Sequence, residues 1–199
     1  MAIRFQYNKT SLQHLNKQLK IRLRALPTLQ SKEAALRMEV KRAKDQAEEL
    51  LRKLESRMKE YDNMVRLWGE FETDLISVKD VNMSVKKIAG VKTPILEDVI
   101  FEMKEFSFFN KPGWFLSGIK ILESLVKISI ESEFFVRKME LLDFARKKTT
   151  QKVNLYEKVQ IPGYEEAISK VKRFLEDEEN LSKSSQKIVK KRQQQKEAA

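Results

Sequence analysis

Two stretches of this chain, Thr28 to Trp68 and Ile119 to Ile161, contain neither glycine nor proline. Each runs for about forty residues, where an ordinary globular helix spans roughly 8–20. Sandwiches, barrels and alternating α/β folds need many tight connections, yet the 199 residues hold only 5 Gly and 4 Pro. In the first stretch apolar residues recur at Leu36, Val40, Ala43, Ala47, Leu50, Leu54, Tyr61, Val65 and Trp68. That is the 3.5-residue repeat of a coiled-coil seam, and at ~1.5 Å per residue the helix extends on the order of 60 Å. So narrow a stripe does not stabilise a single helix over that length. Pairing the N- and C-terminal helices antiparallel buries both stripes within one chain. The expected fold is mainly α, a long antiparallel two-helix coiled coil.

Between the helices the sequence changes character. "LISVKDVNMSV" and "KTPILEDVIFEMKEF" are rich in Val, Ile and Phe, and Gly90 and Pro94 punctuate them. Two short strands forming a hairpin are expected in a small central domain. An isolated hairpin is marginal, so it must pack on helices. "NKPGW", Asn110 to Trp114, reads as a turn. The boundaries are 1–68 for the N-terminal long helix, 69–112 for the central domain and 113–192 for the C-terminal long helix. Residues 193–199 form a tail expected to fray, because "KKRQQQKEAA" has no apolar face.

Two prolines fall inside the helical patterns. Pro27 has no N–H for the carbonyl of Leu23 and its ring crowds that turn, so a kink or short break is expected. Pro162 and Gly163 stand side by side in the second helix, although in an isolated helix interior they cost roughly 3 and 1 kcal/mol. Pro162 removes the bond to the carbonyl of Lys158 and Gly163 loosens the next turn. Either the helix bends or unwinds there, or it breaks into two shorter packed helices. Asn154 lies one heptad before Ile161 and two before Ile168. If the register holds across the proline, Asn154 is buried and fixes register at a cost in stability; if the kink turns it outward, it is a surface residue. Beyond the pair, Ile168, Val171, Leu175, Leu181 and Ile188 continue an apolar stripe.

Charged residues make up 35% of the chain and the formal net charge is +11. A basic excess suits acidic partners: nucleic acid, an anionic membrane face or an acidic protein cavity. With no cysteine, disulfides, thiolate metal sites and cysteine nucleophiles are excluded. No apolar run approaches the ~20 residues of a membrane span, and "MAIRFQYNKT" lacks a signal-peptide core, so a soluble cytoplasmic chain is expected. His14, the one histidine, lies among Gln and Asn without the partner and pocket a base needs. Paired glutamates such as Glu48 and Glu49 are adjacent on a helix rather than facing each other. There is no Gly-rich phosphate loop, zinc motif or nucleophile elbow. No catalytic, cofactor-binding or metal residue is therefore expected. "KKR", Lys190 to Arg192, could meet phosphates. No nucleic-acid reading module accompanies it, and Phe134, Phe135, Phe144 and Phe174 lie at core-like spacings rather than as stacking platforms.

"KTTQKVNLYEKVQIPGYEEAISKVKRFLEDEE", Lys148 to Glu179, resembles the signature of the D subunits of V/A-type (vacuolar/archaeal-type) rotary ATPases. In that family a basic run precedes Val-Asn-Ala-Leu-Glu, then Ile-Pro, then a Leu-Glu-containing helix closing in acidic residues. Val153, Asn154, Glu157, Ile161, Pro162, Glu165, Leu175 and Glu176 fall on matching positions. "IAGVKTP", Ile88 to Pro94, is similar to the family's central Ile/Val-Ala-Gly-Val-x-x-Pro. "LNKQLKIRLRALPTLQSKEAAL", Leu15 to Leu36, resembles its N-terminal Leu-rich segment more weakly. The three stand in the family's order and cover both ends and the middle. Ala25, Leu26 and Pro27 replace a usual Gly-His, Lys32 and Glu33 alone represent a Lys-Arg-Asp triplet, Tyr156 stands near the usual Leu, and Gly163 stands where many relatives carry Arg or Gln. These departures suggest a divergent bacterial branch.

The resemblance implies the central-stalk rotor shaft of such an ATPase, non-catalytic itself, coupling ATP turnover to ion transport. Implied partners are the A and B subunits of the catalytic head, the small F subunit of the stalk, and an adaptor on the membrane rotor. The chain would sit peripheral to the membrane, with no cofactor and no direct nucleic acid. Pro162, Gly163 and Pro27 would then shape an eccentric shaft that shows a different face to each catalytic interface, with Asn154 in its register. Lys183, Lys187, Lys190, Lys191 and Arg192, with Lys9, Lys17 and Lys20 beside them, would form a positive tip facing acidic loops of the head. The alternative from the residues alone is a basic coiled-coil scaffold or nucleic-acid-binding protein.

Overall fold

The computed structural model describes residues 3–72, 75–104 and 111–197. Helix α1 spans Lys9–Glu60, followed by a 3-10 turn at Asp62–Met64 and the short α2, Val65–Trp68. Strands β1 (Ile76–Ile88) and β2 (Val91–Met103) come next, then α3 (Phe115–Leu155). A π turn at Tyr156–Gln160 leads into α4, Ile161–Glu197. Two long helices and a central antiparallel hairpin match the mainly α expectation. The chain divides into two compact units, one of Met1–Ser31 with Thr149–Ala199 and the other of Lys32–Lys148.

In the first unit α1 starts at a side-chain cap. The Ser11 N–H donates to Asn8 Oδ1 at 2.6 Å, and the Gln6 N–H donates to Ser11 Oγ at 3.2 Å. The first of these bonds satisfies a donor that a helix start leaves free, and the second ties the preceding segment to it. Leu15 packs against Ala167, Ile168 and Val171, with Leu12, Leu19, Tyr164 and Leu175 around them. The pairing is antiparallel, since Tyr7 meets Phe174 while Arg22 meets Gln160. Ahead of α1, Ile3 and Phe5 turn back onto this core. The apolar stripe stops at Leu175: Leu181 and Ile188 are 70% and 55% exposed. The segment expected to fray from residue 193 is helical through Glu197. α1 passes Pro27 without the expected break. Pro27 and Leu23 are both exposed, so water can reach the carbonyl that the proline leaves without its helical partner.

In the second unit Leu36, Ala43 and Ala47 are buried, with Val40, Leu50 and Leu54 half-buried, which follows the heptad along α1, and Tyr61 just past its end is half-buried too. Leu36 and Leu142 are fully buried. The hairpin turns through Ala89 and Gly90 at φ 48° and 82°, between the paired residues Ile88 and Val91. Positive φ at both central residues is what a two-residue type I′ turn requires, because it matches the twist of the strands. Register irregularities lie between Val78 and Asp80 and between Asn82 and Met83. Thr93 is buried and donates its hydroxyl to the Lys86 carbonyl at 3.0 Å. At the base of the hairpin Phe71, Leu75, Phe115 and Ile119 form a buried cluster with Trp68 and Trp114 against it. A Cβ on Gly118 would lie 2.9 Å from the Trp114 ring, so only glycine lets the indole lie this close to α3. Of the turn expected at Asn110–Trp114, Asn110 lies outside the described residues.

Candidate functional site

The Pro162–Gly163 pair neither breaks the helix nor leaves it unchanged. Leu155 and Ile161, on either side of the π turn, both keep right-handed helical backbone. The Ile161 N–H donates to the Tyr156 carbonyl five residues back, which is the π bond. Pro162 follows at once, as the second residue of α4. In a continuous α-helix its ring would crowd the carbonyl of Lys158; a widened turn in front of it lets the helix pass the proline intact. Gly163 has a separate role, because a Cβ there would lie 3.1 Å from Ile3 Cδ1. The glycine leaves a notch for the segment before α1.

The π turn also changes which residues face inward. Thr149 is buried and Val153, Tyr156 and Gln160 are half-buried. Alternating steps of three and four would carry that face on to Gly163, Ala167, Lys170 and Phe174. The core instead takes Tyr164, Ile168, Val171 and Leu175, each one residue later, with Ala167 buried beside Ile168, while Lys170 and Phe174 are exposed. One extra residue in the widened turn accounts for the slip. It also settles Asn154, which is exposed: the slip lies between it and Ile161, so the heptad count that would bury it does not hold.

Arg22 of α1 spans this turn. Its Nε donates to Gln160 Oε1 at 2.6 Å, and one terminal nitrogen donates to the carbonyl and side-chain oxygen of Gln18 at 3.0 and 2.7 Å. The guanidinium lies 4.5 Å from the ring centre of Tyr164 and 5.9 Å from that of Tyr156, within cation–π range. Nothing in the local sequence around Arg22 signals this. The spacing of the apolar residues on either side of Pro162 was the one available clue.

Lys183, Lys187, Lys190, Lys191 and Arg192 are all exposed on α4. Lys183 pairs with Glu179 at 2.8 Å. That hydrogen bond and the charge of Lys183, with a further contribution from Lys9, hold the Glu179 carboxyl below its ordinary range. Lys170 is held above its usual range by the hydrogen bond and charge of Glu166, 2.7 Å away. In the second unit a cleft of about 570 Å³ lies among α1, the hairpin and α3. Arg42, Lys86, Lys87 and Lys138 line it together with Glu39 and Glu131, and Phe134 and Phe135 supply apolar walls. Phe144 and Phe174 are exposed rather than core residues: Phe144 lies under Lys148 and Phe174 against Tyr7. Among the described residues no group of three acidic or histidine side chains could hold a metal ion, and His14 is exposed. No described helix is long and apolar enough to cross a membrane.

A family profile described as that of ATP synthase D subunits matches residues 11–191. The chain is 32% identical to the V-type ATP synthase D subunit of Borreliella burgdorferi over 192 residues, 94% of each chain. It is 29% identical to the protein of the same name from Chlamydia muridarum, over 98% of each chain. With that from Chlamydia pneumoniae the identity is 26%, over 96% of this chain and 94% of the relative.

Proposed function

The chain belongs to the family of ATP synthase D subunits, and on that premise we propose that it is the central-stalk rotor subunit of a V-type ATPase, carrying torque between a catalytic head and an ion-moving membrane ring. The observation that carries this reading is the extent of the family match: it takes in both long helices and the hairpin rather than one motif. Two wound antiparallel helices resist twisting better than one, as a torque-bearing element requires. In this reading the chain is non-catalytic, and ATP and the ion are handled by its partners. These are the A and B subunits of the head, a small F subunit, and an adaptor on the membrane ring, and the chain is held peripheral to the cytoplasmic face by that assembly. The exposed basic stretch from Lys183 to Arg192 and the exposed Leu181, Ile188 and Val189 supply the surface for the head. Charge there guides a turning shaft without locking it, since it acts at long range and with little directionality.

The test is affinity purification of the tagged chain from its own cells at moderate salt, with nuclease treatment. Head and small-stalk subunits recovered in fixed ratio support the reading. Nucleic acid recovered only without nuclease, and no ATPase subunits, would replace it with the basic-scaffold alternative. Neutralising Lys187, Lys190, Lys191 and Arg192 together is expected to weaken binding to the head and flatten its salt dependence; a salt-indifferent affinity in the parent chain would remove the steering argument.

A further inference from the structure

The π turn sets the angular phase of everything that follows it on α4, and Arg22 of α1 holds both of its ends. Tyr156 is the first residue of the turn and Gln160 the last. Arg22 meets the ring of one and the amide oxygen of the other, and also the ring of Tyr164 one turn further on. Gln18, a turn earlier on α1, anchors the guanidinium from behind through two acceptors. We propose that Arg22 is a positioning residue: it holds the extra residue inside the π turn and so fixes which face of α4 is presented beyond Pro162.

The physical alternative is well defined. If the extra residue were expelled along the helix, the turn would close to ordinary α geometry and α4 would rotate by one residue, about 100°. Lys170 and Phe174 would then take the inward places now held by Val171 and Leu175. Pro162 opposes that closure by lacking the N–H that an α turn would bond. The proline, however, acts only within α4, whereas Arg22 ties the turn to α1. The planar guanidinium suits this task, because it can donate to an amide oxygen in its plane while its faces lie against two tyrosine rings.

For the rotor, the consequence is that the side chains meeting the head depend on a clamp remote from Lys183–Arg192. This functional half rests on the rotor reading; the register itself does not, and the experiment separates them. The chain has no cysteine, so single thiols introduced by Lys170→Cys or Val171→Cys report register through their maleimide labelling rates in the full-length protein. In the parent, position 170 labels fast and position 171, fully buried, slowly. Arg22→Ala is expected to raise the rate at 171 by ~10-fold or more, the scale of a lost charged hydrogen bond, while lowering that at 170. Deleting Val159, an exposed residue of the turn, in a Pro162→Ala background removes the extra residue together with the ring that a closed turn would crowd: alone this double change leaves the labelling pattern intact, and combined with Arg22→Ala it restores it. Rates rising at both positions would mean that Arg22 only stabilises the unit, and unchanged rates that it holds nothing; either overturns the proposal. So does exposure of position 171 by the Val159 deletion in the Pro162→Ala background alone. In the assembled ATPase, Arg22→Ala is expected to lower ions moved per ATP hydrolysed and the deletion to restore them. Loss of that effect with the thiol pattern intact would count against the rotor reading and leave the register assignment standing.

Discussion

Replacing Ala89 by Asn is expected to stabilise the unit that carries the hairpin. Ala89 holds φ 48° in a two-residue turn closed by Ile88 and Val91. A Cβ in that region costs about 1–2 kcal/mol against the right-handed one. Asparagine bonds locally to its own backbone and recovers part of this, about 0.5–1 kcal/mol. Glycine removes the Cβ altogether but adds freedom to the unfolded chain, which takes back about 0.4–1 kcal/mol. Valine, branched at Cβ, is expected to destabilise by about 1 kcal/mol or more. Asn and Gly are therefore both expected above Ala, by similar amounts, and Val below it. Both tryptophans of the chain sit at the base of the hairpin, their ring centres 5.5 Å apart, against a cluster that includes Leu75 immediately before β1. Tryptophan emission followed through urea unfolding thus reads this unit. With a urea dependence of about 1–3 kcal/mol per molar, the asparagine variant should shift the midpoint upward by several tenths of a molar. A valine variant with the parent's midpoint would show that position 89 is not left-handed in solution, and the reasoning would fail.

Val171→Ala is expected to destabilise the first unit by about 2 kcal/mol, from two lost methyl groups and the cavity they leave, measured by urea unfolding followed by far-UV ellipticity. Asp143, held below its ordinary 3.8 by hydrogen bonds from Lys147 and then Arg146, contributes stability that is present above the ordinary value and lost as pH falls through the depressed one. Asp143→Asn should therefore unfold at lower urea than the parent at neutral pH, and the two midpoints should converge in strong acid. Asn154→Leu should change stability by less than about 0.5 kcal/mol, as at other exposed positions, when thermal unfolding of the two proteins is compared.

The long helices and the hairpin were legible because each rests on a local signal. Glycine-free heptads read as paired helices, and Val-rich segments punctuated by Gly90 and Pro94 read as two strands, although Pro94 proves to lie within β2. At Pro27 the helix continues where a break was one of two expectations, because a proline's effect depends on whether the freed carbonyl is hydrated, and exposure is a tertiary property. Asn154 was undecided for a related reason: a heptad count assumes constant pitch, and one residue absorbed at Tyr156–Gln160 shifts every later position. The spacing from Gln160 through Tyr164 to Ile168 carries that shift, but only burial shows which apolar residues belong to the stripe. Arg22 and the packing of Ile3 into the Gly163 notch join residues far apart in sequence, so neither has a periodicity to announce it. The basic cluster was legible as composition, but its full exposure was not, since Leu181 and Ile188 continue the apolar spacing beside it and only the structure shows the stripe ending at Leu175.

A sheet of two strands has no interior strand, so β1 and β2 each keep one unpaired margin that another copy of the chain could extend. The irregularities at Val78–Asp80 and Asn82–Met83 interrupt the flat run of backbone groups such an addition needs. Pro94 in β2 has no N–H to offer it, and the exposed Lys79, Lys86, Lys87 and Lys92 set like charges against an incoming copy. Crowding therefore favours neither a swapped sheet nor a fibre, and the hairpin can remain uncovered in concentrated solution without seeding self-association.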